Sequence, residues 1–174
     1  MQRQPTLLNS CARAATAAEA RYRISYPEFA RRSSRVIALD DQAAAIVGRI
    51  AGERWGGGHF LAFGAVIPAN GSGREAADAR LRRADGPGHA DVLLSDELDG
   101  ADAVVMVGTV HASAEAASVI GDACAARSIM SAGLVVPGAA SADAVVAALR
   151  PNAMVLVVLR DDHDIPEILS ALRV

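Results

Sequence analysis

The stretch from Asp99 to Pro137, DGADAVVMVGTVHASAEAASVIGDACAARSIMSAGLVVP, constrains this chain more than any other. It reads as an apolar strand, a polar loop, an Ala-rich helix and a second apolar strand, which together make one βαβ crossover. Two parallel strands cannot be joined by a tight hairpin, so a crossover of this kind commits the chain to a parallel sheet. The alternation then continues, with strand Ala103–Val107, helix Ser113–Ala126, strand Ile129–Val136, helix Ser141–Leu149, strand Met154–Leu159 and helix Ile165–Leu172. Strands that are apolar on both faces need helices on both sides of the sheet.

Upstream, Arg35–Leu39 reads as a strand and Gln42–Gly52 as a helix, with Asp40 and Asp41 as cap candidates. His59–Val66 is the next expected strand, after the break at Gly56, Gly57 and Gly58. Arg74–Arg83 is expected to be a charged surface helix, ended by Gly86, Pro87 and Gly88. Asp91–Leu98 fits either a short edge strand or a single helical turn, because periodicity does not decide at this length. The fold expected is α/β, a single doubly wound, mostly parallel sheet in a Rossmann-like three-layer sandwich of about five to six strands. An Ala-rich helix over Leu7–Ala20 precedes it.

The chain has 174 residues, enough for one well-buried domain. Residues 1–34 are read as an Arg-rich helical segment and 35–174 as the α/β domain. Seven arginines against two glutamates in the first 35 residues resemble a transit peptide in composition. An amphipathic helix with solvated arginines is the preferred reading, since Tyr22–Phe29 has the composition of structured chain.

All 17 basic residues are arginine. Without lysine the chain has no phosphate-loop lysine, no Schiff base and no kinase-type lysine, and several enzyme classes fall away. A net charge of -3 gives no general pull towards nucleic acid or an anionic membrane. Cys11 and Cys124 match no metal or redox spacing, consistent with a reducing, cytoplasmic setting. The longest apolar runs, such as Ala103–Gly108 and Ala153–Leu159, are well short of the roughly 20 residues that span a bilayer. Only 3% of residues are aromatic, so Ala, Val, Leu and Ile must fill the core.

Ligands of open parallel sheets bind beyond the carboxyl ends of the strands, which turns the strand order into a list of candidate loops. In Asn70-Gly71-Ser72-Gly73-Arg74, backbone N–H groups can approach a phosphate and Arg74 can add a bidentate contact. The same residues also suit a plain flexible turn. Thr109, His111 and Ser113 follow the central strand, and His111 is a candidate acid, base or phosphate donor, or a loop residue that only hydrogen-bonds the backbone. Asp161, Asp162 and His163 form the densest ligand-capable run, although Asp164 before Ile165 and Pro166 is also what a helix start looks like. Trp55 is placed as a surface anchor, and His59 and His89 have no evident partners. No G-x-S-x-G elbow, H-E-x-x-H or paired C-x-x-C occurs, and no G-x-G-x-x-G follows the first strand.

Gly100–Asp162 resembles the nucleotide-binding half of the tubulin/FtsZ GTPases. GADAVVMV is similar to the strand before that family's phosphate loop, and the Ala-rich helix, SIMSAGLVVPG and SADAVVAALRPNAMVLVVLRDD follow in a similar order. Where that family has GGGTGTG, this chain has Gly108-Thr-Val-His-Ala-Ser113, so the resemblance implies nucleotide binding without hydrolysis.

The function expected is therefore a non-catalytic or regulatory domain that binds a phosphorylated small molecule or nucleotide through Gly71, Ser72, Gly73, Arg74, Thr109 and Ser113. One alternative is a homo-oligomeric assembly or interaction protein. Another is a small metal-assisted or acid/base enzyme in which His111, Asp161 and His163 are the catalytic candidates. Neither nucleic acid nor membrane is an expected partner.

Overall fold

The computed structural model describes residues 32–68, 77–84, 90–138 and 141–174. The expected helix over Leu7–Ala20, the Arg-rich segment up to residue 31, His89 and the loops Asn70–Arg74 and Gly86–Gly88 lie outside the described residues. The elements in chain order are β1 Ser34–Ala38, α1 Asp41–Ala51, β2 His59–Ile67, β3 Asp78–Arg83, β4 Asp91–Leu93, α2 Leu94–Leu98 and β5 Ala103–Thr109. After them come α3 Ala114–Arg127, β6 Met130–Val136, α4 Asp143–Leu149, β7 Val155–Val158, a 3₁₀ turn Asp162–Asp164 and α5 Ile165–Ala171.

The strands form one seven-stranded sheet in the order β4-β3-β2-β1-β5-β6-β7. Pairs β1/β2, β1/β5, β5/β6 and β6/β7 are parallel, whereas β2/β3 and β3/β4 are antiparallel. The sheet is thus larger than the five or six strands expected, and it carries an antiparallel edge. The difference lies in Asp78–Arg83, expected to be the end of a surface helix. There Ala79 and Leu81 are buried while Arg80 and Arg82 are exposed, a period of two that belongs to a strand. Asp91–Leu98 divides between both of its readings, as strand β4 and helix α2.

Strands β1 and β5 bury side chains towards both faces, and that divides the core in two. Ile37, Val104 and Met106 pack on one face with Ala116 and Ile120 of α3, Leu149 of α4 and Leu98 of α2. Val36, Val105 and Val107 pack on the other with Val47 of α1 and Ile165 and Leu169 of α5. Alternate residues of one strand therefore serve opposite layers. Trp55, expected at the surface, packs instead against this second core: it donates Nε1–H to the Ile50 carbonyl at 2.7 Å and its ring lies 5.5 Å from that of Phe60.

Close packing of small residues holds α3 against the turn before β7. A Cβ added at Gly121 would lie 2.5 Å from Asn152 Cβ and 2.6 Å from its Oδ1. Asn152 has little freedom to retreat, since its Nδ2 donates to the Ala148 carbonyl at 3.1 Å and its own carbonyl accepts from Ser131 Oγ at 2.9 Å. Gly121→Ala is expected to lower stability by about 1–3 kcal/mol through overpacking, read from urea unfolding, whereas Ser118→Ala on the exposed face of α3 leaves it nearly unchanged.

Candidate functional site

The order of the sheet reverses between β1 and β5. From their carboxyl ends, α1 departs to one face and α3 to the other, which is the switch point at which open α/β sheets offer a crevice. A single carboxylate ties the two strand ends together. Asp40 Oδ1 accepts the Ala43 N–H at 2.9 Å as the N-cap of α1 and the Thr109 hydroxyl at 3.0 Å, while Oδ2 accepts the Thr109 N–H at 2.8 Å. Thr109 is buried, and its hydrogen-bonding groups are turned inward. Its Oγ1 also accepts the His111 N–H at 3.3 Å.

Ser113 caps α3, accepting the Ala116 N–H at 3.2 Å, and the His111 side chain is exposed. A Cβ at Gly108 would lie 2.8 Å from that of Ala112, so the loop after β5 folds back on its own strand. The arrangement is a compact turn leading into one helix N-terminus. It lacks the open ring of amides that a glycine-rich cradle presents.

Asp161, Asp162 and His163 do come together, with ligand-capable atoms all within 4.8 Å of one another, and His111 lies outside this cluster. Each member already has a local role. Asp161 Oδ1 accepts the His163 N–H at 2.8 Å and caps the 3₁₀ turn. Asp162 pairs with Arg49 of α1, whose hydrogen bond holds the Asp162 carboxyl below the usual range. The capping role expected of Asp164 thus belongs to Asp161. Asp164 has already entered helical backbone at φ -75° and its side chain makes no cap hydrogen bond.

The densest polar cluster among the described residues lies at the opposite, amino-terminal rim of the sheet. Arg35 and His59 pair in register across β1 and β2, and Leu61 pairs with Arg83 on β3. Helix α2 lays Glu97 over them, its side chain only 5% exposed. Glu97 Oε2 takes His59 Nδ1 at 2.7 Å and lies 3.2 Å from Arg35 Nε, while Oε1 accepts from Arg83 Nη2 at 2.6 Å. Arg35 Nε also donates to the Glu97 carbonyl at 2.6 Å, and Arg35 Nη1 donates to Ser33 Oγ at 2.9 Å.

Burial alone would push the Glu97 carboxyl up, but the His59 hydrogen bond together with the charges of Arg83, His59 and Arg35 outweighs it and holds the group below its ordinary value. Burial likewise lowers Arg35, against the pull of Glu97. Burial pushes the Cys124 thiol up to about 11 against a smaller opposing pull from Arg127, the setting of an unreactive core cysteine.

His59, which has no evident partner in the sequence, therefore sits in a network that sequence reading missed. The signal was present in weak form. Arg35 and His59 are polar residues opening otherwise apolar strands, RVIAL and HFLAF, where a lone polar residue needs a partner. That the partner is Glu97 depends on where α2 docks.

No protein-family model matches the chain, and no curated protein matches it. Fold and sites together define a three-layer α/β domain with a mostly parallel sheet and a polar cluster at each end.

Glu97→Gln leaves Arg35 buried without its counter-charge and is expected to cost about 3 kcal/mol in chemical denaturation. Because the folded carboxyl titrates below its unfolded value, its stabilisation is complete above pH about 5 and is lost as the pH falls through the folded pKa. A pH series of unfolding midpoints is expected to show this acid-side loss in the parent chain and a shallower one in Glu97→Gln.

Proposed function

We propose that this chain is a Rossmann-like, non-catalytic domain that binds a phosphorylated small molecule or nucleotide at the carboxyl end of its sheet. The observation that carries the reading is the switch point between β1 and β5, from which two helices of 11 and 14 residues depart to opposite faces. The Asp40 carboxylate already occupies the start of α1, so it opposes a second anion there. The N-terminus of α3, opened by Ser113, is the end that favours a phosphate. Thr109 fixes the start of that loop through Asp40, and the exposed His111 supplies a polar side chain beside it. Gly71, Ser72, Gly73 and Arg74 belong to the connection after β2 and complete the proposed ligand set.

A distant kinship with the nucleotide-binding half of the tubulin/FtsZ GTPases belongs to the same proposal. It is supported by the succession of β5, α3, β6, α4 and β7, and binding without hydrolysis is supported by the folded-back loop at Gly108 and Ala112. Among the described residues no helix is long and apolar enough to cross a membrane, and a cytoplasmic setting is part of the proposal.

A thermal-shift and calorimetric panel of nucleotides and sugar phosphates tests the reading, with at least one compound expected to raise Tm. Ala114→Asp places a carboxylate in the first turn of α3, which favours the helix but repels a phosphate, so the variant is expected to fold normally and lose the response. A parent chain indifferent to the whole panel sinks the proposal.

A second reading, homo-oligomeric assembly, is favoured by the β7 edge. Met154, Val155 and Val158 are 75%, 56% and 50% exposed on a terminal strand, and exposed apolar edges invite pairing. Light scattering is expected to report a dimer or larger species that Val155→Lys converts to monomer. A monomeric parent chain removes this reading.

A further inference from the structure

A cavity of about 690 Å³ opens beside the Arg35–Glu97 network, at the end of the sheet away from the β1/β5 crevice. Its lining includes Arg35, Arg83, His59 and Glu97, so two guanidiniums meet one carboxylate and this group is cationic even with His59 neutral. The carboxylate is saturated, but its partners are not. Arg83 donates through Nη2 to Glu97 and keeps 36% of its side chain exposed. His59 engages Glu97 through Nδ1, which leaves Nε2 as the ring nitrogen for a ligand on a side chain 37% exposed.

The exposed part of the lining adds charge of the opposite sign. Asp96 and Asp99 both line the cavity, are exposed, and form no ion pair among the described residues. Arg80 and Asp91 offset each other across a long 3.9 Å pair, and Val92 adds an apolar surface.

We infer that this rim cavity binds a small zwitterion of the amino-acid class. Its carboxylate is taken by Arg83, joined by His59 Nε2–H when the ring is the imidazolium, since a neutral ring that gives Nδ1–H to Glu97 has only a lone pair at Nε2. Its ammonium is taken by Asp96 and Asp99, and an aliphatic side chain by Val92. A simple anion meets the two aspartates and a simple cation meets Arg83, so neither alone satisfies both signs of charge in the lining. Glu97 acts as a positioning residue, holding the imidazole and the Arg83 fork in place before any ligand arrives.

The test is an NMR titration that follows the His59 ring signals, with L-leucine, 4-methylpentanoate and 3-methylbutylamine as probes. The second and third compounds are leucine without its ammonium and without its carboxylate. L-leucine is expected to perturb His59 and to bind at least about tenfold more tightly than either half. Asp96→Asn, an exposed change that spares the buried network, is expected to weaken leucine about tenfold and to tighten 4-methylpentanoate, which meets one repelling charge fewer. His59→Gln, which keeps a donor for Glu97, is expected to weaken leucine without a matching loss of Tm. No His59 response to L-leucine overturns the inference, and so does 4-methylpentanoate binding as tightly as leucine. Ala114→Asp, at the far end of the sheet, is expected to leave leucine binding unchanged, so this site and the proposed phosphate site fail or succeed separately.

Discussion

Two-sided burial of β1 and β5 is the constraint from which the rest of the structure follows. Neighbouring residues of each strand point into different cores, Val36 and Val105 into one and Ile37 and Val104 into the other. Neither face tolerates water, so helices must cover both, and the chain satisfies this by sending α1 to one side and α3 to the other. The divergence creates the switch point, and Asp40 closes it by bonding the start of α1 and the end of β5 with one carboxylate. The same oxygens that stabilise the junction also set its electrostatics.

The two ends of the sheet handle polar groups differently. At the carboxyl ends, polar side chains are absorbed into local caps: Asp40 on α1, Ser113 on α3 and Asp161 on the 3₁₀ turn. At the amino-terminal rim, Arg35, His59 and Arg83 reach out of three adjacent strands to a buried Glu97 from a helix of five residues. An isolated helix that short has no stability of its own in water. Buried Leu94 and Leu98 and the ion network hold it on the sheet.

Much of the architecture was legible in the residues. From Ala103 onward, every strand and helix read from the sequence falls within a few residues of the structure, because apolar runs of strand length alternate with Ala-rich helical stretches and leave few other packings. The Asp40 cap was legible from an equally local signal, an acidic residue between a strand and an apolar helical run. Asp78–Arg83 was misread because four charges in six residues suggest a surface helix, whereas Ala79 and Leu81 at alternate positions are what the sheet uses. Asp161, Asp162 and His163 lie close together as neighbours in sequence must, yet Arg49, 113 residues away in sequence from Asp162, draws one of the carboxylates into an ion pair.

By itself, then, the sequence determined a parallel α/β sheet covered on both faces, since that outcome depends on hydrophobic spacing along the chain and on the reach of a crossover connection. Only the tertiary structure decided the antiparallel edge, the closure of the switch point by Asp40 and Thr109, and the meeting of Arg35, His59, Arg83 and Glu97. These contacts join residues as far as 69 positions apart. Their strength comes from burial and from the direction of each donor and acceptor, and neither quantity exists until the chain has folded.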